Sequence, residues 1–202
     1  MPALINSKKC AIALELGVAF YLPSFYYKIS KIYPMEKIIT EHLKKISALM
    51  IKKKLTIAIA ESCTSGFIQY SFSHAEEAMS FYQGGITVYN LGQKSKHLNI
   101  NPITAEKCNS VSEDIAKKMA LQVAANFNAE CGISITGFGE PIPEKGIVSC
   151  FAYIAVAIHS EIVCCKKING NSKENLKINQ RLYTEKVLSE FLIALEKTTV
   201  QK

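Results

Sequence analysis

With 202 residues and 49% hydrophobic side chains, the chain is long enough for one domain with a sizeable core and too apolar to be disordered. Its formal charge of +7 favours anionic partners. Nearly all of that charge is lysine; Arg181 is the single arginine, which leaves one bidentate donor for phosphate or guanine edges and argues against a nucleic-acid reader. The clusters Lys52–Lys54 and Lys166–Lys167 lack interleaved aromatics and read as solvated faces. Seven cysteines, an odd number without metal-type or disulfide spacing, fit a reducing cytoplasm.

Residues 1–34 differ in composition from the rest. Lys8 and Lys9 precede an apolar run from Cys10 to Tyr27 that Glu15, Gly17 and Pro23 interrupt, which spoils both a secretory signal and a spanning helix. The expectation is an accessory extension over 1–34, packed on the surface or preceding a natural start at Met35, then one domain over 35–202 with no membrane association.

From Met35, Ile39, Leu43, Ile46 and Met50 recur at helical spacing and predict a helix over 35–53, followed by a strand over 55–60. That strand empties into Glu61-Ser62-Cys63-Thr64-Ser65-Gly66, a turn rich in hydroxyls with a thiol, a carboxylate and a glycine. A helix starting near Ser65 or Gly66 would aim free N–H groups at an anion, at the strand end where open α/β sheets bind ligands. Gly84-Gly85 precede a predicted second strand, Ile86 to Tyr89, and Lys94 falls on a short helix. Ser112 caps a helix whose apolar stripe is Ile115, Met119, Val123 and Phe127. A third strand, Cys131–Thr136, runs into a second glycine-bearing loop. Gly146–Ile158 and Glu161–Ile168 predict an antiparallel hairpin turning at His159-Ser160, and a terminal helix over about 174–197 carries Leu188, Phe191, Leu192 and Leu195 on one face. The pattern is a three-layer α/β/α sandwich with a mixed, mostly parallel sheet.

Ser62 is the candidate nucleophile, although its surroundings are not a nucleophile elbow and a serine here also fits a helix cap. The four histidines are scattered, so a Ser-His-Asp triad is unsupported and a lysine or tyrosine base remains, Lys94 if burial lowers its pKa. Cys63 is the one cysteine in a polar turn.

Taken together, Ala60-Glu61-Ser62-Cys63-Thr64-Ser65-Gly66, Gly84-Gly85-Ile86-Thr87-Val88-Tyr89-Asn90 with Lys94, Val111-Ser112-Glu113 and Ser134-Ile135-Thr136-Gly137 resemble the CinA carboxy-terminal domain family over about residues 36–196. The resemblance implies a nicotinamide mononucleotide deamidase that uses neither metal nor cofactor, with Ser62 as nucleophile and Tyr89 and Lys94 as its base or orienting partners. It further implies a mononucleotide site drawn from Glu61, Cys63, Thr64, Ser65, Gly66, Gly85, Thr136, Gly137, Lys145 and Arg181, and a homo-oligomer. Three departures stand out: Ser65 replaces a glycine, Glu140 replaces another in a shortened loop, and the family's basic stretch before the last helix is thinned to Gln180 and Arg181. They motivate two alternatives, a nucleotide-binding or regulatory protein with weakened turnover and a competence- or damage-associated accessory protein.

Overall fold

A computed structural model describes residues 23–199, with side chains from residue 36 onward. The chain divides into two compact units, Met1–Pro34 and Met35–Lys202. In the first unit the described residues, 23–34, are helical, and the expectation of an accessory segment otherwise falls on residues outside the described range. Helix α1 runs Pro23–Lys53, earlier than the spacing from Met35 predicts, and continues through Pro34 although proline has no N–H to donate. Among the described residues no helix is long and apolar enough to cross a membrane.

The second unit follows the predicted order of strands and helices with one helix, α4, added: β1 (Ile57–Glu61), α2 (Phe67–Ser73), β2 (Tyr82–Thr87), α3 (Leu91–Leu98), α4 (Pro102–Glu106), α5 (Glu113–Asn126), β3 (Cys131–Phe138), β4 (Phe151–Ile158), β5 (Glu161–Asn169) and α6 (Leu176–Lys197). The five-stranded sheet has the order β2-β1-β3-β4-β5. Both neighbours of β1 are parallel to it, and β4 pairs antiparallel with β3 and β5, so four strands share one direction and β4 alone opposes them. The α/β architecture with a mixed sheet is therefore as the sequence predicts.

The period-2 pattern of the strands assigns the two faces. Ile57 and Ile59 of β1, Ile133 and Ile135 of β3, and Ile154 and Val156 of β4 pack with Ile39, Leu43, Ile46 and Met50 of α1 and with Leu188, Phe191 and Leu195 of α6. On the other face Ala58 and Ala60 meet Ile115, Met119 and Val123 of α5, while Ala155 and Ala157 meet Ala116 and Ala120.

Two strand starts and one short helix depart from the sequence-based expectation. β2 begins at Tyr82, so Gly84 and Gly85 lie inside it; Ile57 pairs with Tyr82 and Ala58 with Gly84, which leaves Gln83 bulged, and Gly84 takes up the bulge at φ 126. β4 begins at Phe151, because Gly146 at φ 71 closes a 3-10 turn and Ile147 pairs back to Ile142. The short α4 is absent from the sequence reading, although Asn101-Pro102 is a start signal: the Asn101 side chain accepts from the N–H groups of Ile103 and Thr104.

Candidate active site

Since β2, β1 and β3 run parallel, the turn after β1, the segment after β2 and the loop after β3 gather at one end of the sheet. A cleft of about 500 Å³ opens there, within the range of small-molecule sites, and Ser62, Cys63, Tyr89, Lys94, Ser110 and Lys145 are among its walls.

Lys94 is the centre of the polar geometry. Asn90 caps α3 by accepting from the Gln93 N–H, and one turn later Lys94 points inward, 2% exposed. Its Nζ donates to the Ser110 carbonyl at 3.3 Å and to the Thr136 hydroxyl at 3.1 Å, and Thr136 donates onward to the same carbonyl at 2.8 Å. Burial lowers the Lys94 pKa to about 8, against a smaller opposing effect of the Cys63 and Cys108 thiols. The Ser110 carbonyl is aimed by a left-handed pair, Asn109 at φ 50 and Ser110 at φ 58, which costs on the order of 1 kcal/mol per residue without glycine.

Ser62 follows β1 directly and is 5% exposed. Its carbonyl closes the turn by accepting from the Ser65 N–H at 3.1 Å, and among the described residues its hydroxyl makes no hydrogen bond. Next to it the Cys63 thiol is pushed up to about 12 by burial, with Lys94 opposing, and is a poor nucleophile in that state. The Cys63 carbonyl accepts from the Gln180 side chain at 3.1 Å, so α6 props the turn from behind. Tyr89 lies two residues past the end of β2, 66% exposed at the cleft.

Of the sequence-derived residues, Ser62, Cys63, Tyr89, Lys94, Gly137 and Lys145 line the cleft together. The remaining expectations need correction. Glu61 is fully buried, and its carboxylate accepts the N–H groups of Gly66, Ile68 and Gln69 at 3.0, 3.2 and 2.7 Å. The start of α2 is thus occupied by the chain's own anion rather than open to a phosphate. Thr64 is buried with its hydroxyl unpartnered, Gly66 serves the turn at φ 95, and Ser65 is exposed with φ 53, the conformation that a glycine would adopt without strain. Gly85 is a packing residue, since a Cβ there would stand 2.5 Å from the Ile59 carbonyl oxygen. Thr136 lies behind the cleft as the partner of Lys94. Arg181 turns away, its guanidinium 3.3 Å from Glu36 and stacked 5.1 Å from the Phe67 ring.

Polar residues that the sequence reading missed are Asn90, Glu106, Asn109 and Ser110, which line the cleft from the cap of α3, the end of α4 and the turn that follows it. Asn109-Ser110 carried a signal, a turn-prone pair just before the capped α5. Glu140, which stands where the resemblance leads one to expect a glycine, also lines the cleft but accepts from the Leu176 N–H at 3.1 Å, where the start of α6 favours a negative charge.

Fold and cleft define an α/β protein whose site lies at the carboxyl ends of three parallel strands and combines an uncommitted serine hydroxyl with a buried amine. The sequence matches the family model for the CinA C-terminal domain over residues 39–193, and the chain belongs to that family. A protein of Alkaliphilus oremlandii named as competence-damage inducible is 31% identical over 172 residues, 76% of this chain and 40% of its own length. A CinA-like protein of Chlorobium chlorochromatii is 29% identical over 154 residues, 75% of this chain and 36% of its own. The chain thus spans two fifths or less of the length of these curated relatives. The crystal structure of a competence or damage-inducible protein from Enterobacter asburiae superposes with a TM-score of 0.73 at 25% identity, covering 78% of this chain and 98% of that one.

Proposed function

We propose that the protein is an amidohydrolase that converts the carboxamide of nicotinamide mononucleotide to the carboxylate, with Ser62 as nucleophile and Lys94 as its base. The observation that carries the reading is a single cleft holding both Ser62 and a buried Lys94 whose pKa, near 8, leaves a usable neutral fraction at physiological pH. Ser62 Oγ attacks the amide carbon while neutral Lys94 Nζ takes its proton. The tetrahedral adduct collapses with the proton passing to the departing amine, so ammonia leaves and an ester remains on Ser62. Water, deprotonated through Lys94, then cleaves the ester and restores the serine hydroxyl. In this reading the phenol of Tyr89, which lines the same cleft, relays or orients these protons.

The amides of Ser65, Gly66 and Phe67 are already bonded to Ser62, Glu61 and Thr64, so they are not the donors for the oxyanion. Lys145 is the exposed cation on the opposite wall and the candidate partner for the substrate phosphate. Purified protein incubated with nicotinamide mononucleotide should release ammonia, and Ser62→Ala should lose at least a hundredfold of that rate. Equal release from both proteins rejects the assignment. Tight binding of the mononucleotide with no ammonia would favour the non-catalytic alternative instead.

A further inference from the structure

Glu61 breaks the composition of its own strand. The rest of β1 is Ile57-Ala58-Ile59-Ala60, the strand is buried throughout, and a carboxylate there must be stripped of water. None of the ion pairs among the described residues includes it; its two oxygens are instead satisfied by three backbone amides at the start of α2. Its backbone does a second job, since the Glu61 carbonyl accepts the Val88 N–H at 2.8 Å, the residue that leads into Tyr89. The Gln69 side chain adds a third tie, donating to the Thr87 hydroxyl at 3.1 Å, so the end of β1, the first turn of α2 and the end of β2 form one hydrogen-bonded ring around the Ser62–Gly66 turn. Ser62 sits between Glu61 and the amides that Glu61 holds.

We propose that Glu61 is a positioning residue for Ser62: by gathering the amides of Gly66, Ile68 and Gln69 it fixes the turn that presents the serine hydroxyl to the cleft, and it touches no substrate. A burial role alone would be met by another isoleucine or alanine, as at the four preceding positions. A substrate-binding role would need the carboxylate to face the cleft, where it is absent from the walls. What only a carboxylate supplies is two acceptor oxygens on one short stem, oriented at three converging donors. Glutamine keeps the shape but turns an NH2 group on one side of that triad toward N–H donors, and aspartate falls one methylene short.

This inference rests on the amidase reading, and the experiment separates the two. Ammonia release by Glu61→Gln and Glu61→Asp is measured against the wild type with nicotinamide mononucleotide, alongside 15N–1H spectra of each protein. The expected result is a kcat at least tenfold lower in both variants with KM within threefold, and displaced amide resonances at Gly66, Ile68 and Gln69. A folded Glu61→Gln protein that turns over at the wild-type kcat overturns the proposal. Should both variants fail to fold, amide exchange in the wild type decides: slow exchange at those three positions upholds it and exchange at the rate of an unbonded loop overturns it. If the wild type itself releases no ammonia, the amidase reading falls alone. The Ser62 amide resonance in Glu61→Gln then judges the hold on the turn, a displaced peak supporting it and an unchanged one refuting it.

Discussion

The two faces of the sheet are built from different residues although they share every strand. Toward α1 and α6 the strands present Ile57, Ile59, Ile133, Ile135 and Ile154; toward α5 they present Ala58, Ala60, Gly132, Ser134, Thr136 and Ala155. The large face makes a dry aliphatic core. The small face lets α5 come so close that a Cβ on Gly132 would stand 2.0 Å from the Ala120 carbonyl oxygen, and Ser134 donates into that helix at 2.6 Å. Past the capped start of α5 the same face carries Thr136 and, above it, Lys94. The largest apolar cluster lies on one side of the sheet and the proposed base on the other.

That division can be broken most severely at Lys94. Lys94→Met should lower kcat by roughly a hundredfold or more, the usual scale for loss of a positioned base, while leaving the fold intact. Ammonia release and circular dichroism on the same sample check both halves. The opposite outcome is expected at Phe191, fully buried in α6 with its ring 6.2 Å from that of Phe72. Phe191→Ala should cost about 3–5 kcal/mol in urea unfolding with kcat of the folded fraction unchanged. A large loss of kcat there would mean that the faces are not separable.

The same contrast explains how much the sequence disclosed. The large face was legible throughout, because Ile39, Leu43, Ile46 and Met50, and Leu188, Phe191, Leu192 and Leu195, repeat at helical spacing and all are buried. The nucleophile turn was legible as a strand emptying into small polar residues, and Lys94 as a lysine on a short helix just after the second strand. Its partners were not. The Ser110 carbonyl is a backbone group, and no residue type announces a carbonyl's direction; the left-handed Asn109-Ser110 pair that aims it has no periodicity. Glu61 and Arg181 misled for a related reason. A carboxylate or guanidinium near a site reads the same whether it faces a ligand or the protein, and here one is spent on α2 amides and the other on Glu36 and Phe67. The resemblance assigns Gly85 to the mononucleotide site; what comes close to it is the backbone of β1.

Two smaller effects sharpen the comparison. The folded pKa of Lys94, about 8, lies below its ordinary value of 10.5, so the native state sheds this proton before the unfolded chain does and stability rises with pH between the two. Lys94→Met, which leaves Thr136 still bonded to the Ser110 carbonyl, should therefore be more stable than the wild type near neutral pH. The difference should shrink by up to about 3 kcal/mol as pH climbs from 8 to 10.5, read by denaturant melts at each pH. Least of all, Ser65→Gly should relieve the strain at φ 53 and add up to about 1 kcal/mol of stability; a loss on that substitution would show that the serine side chain contributes more than its backbone costs.

The claim on which the account turns is that a neutral Lys94 accepts the Ser62 proton. The pH dependence of kcat/KM for ammonia release from nicotinamide mononucleotide tests it most directly, since that ratio reports ionisations of the free enzyme. The rate should rise as Lys94 loses its proton, with a midpoint near 8, and level off above it, and the rise should vanish from the residual activity of Lys94→Met. A profile already flat from pH 7 to 9, or a midpoint near 8 that survives in Lys94→Met, would contradict it.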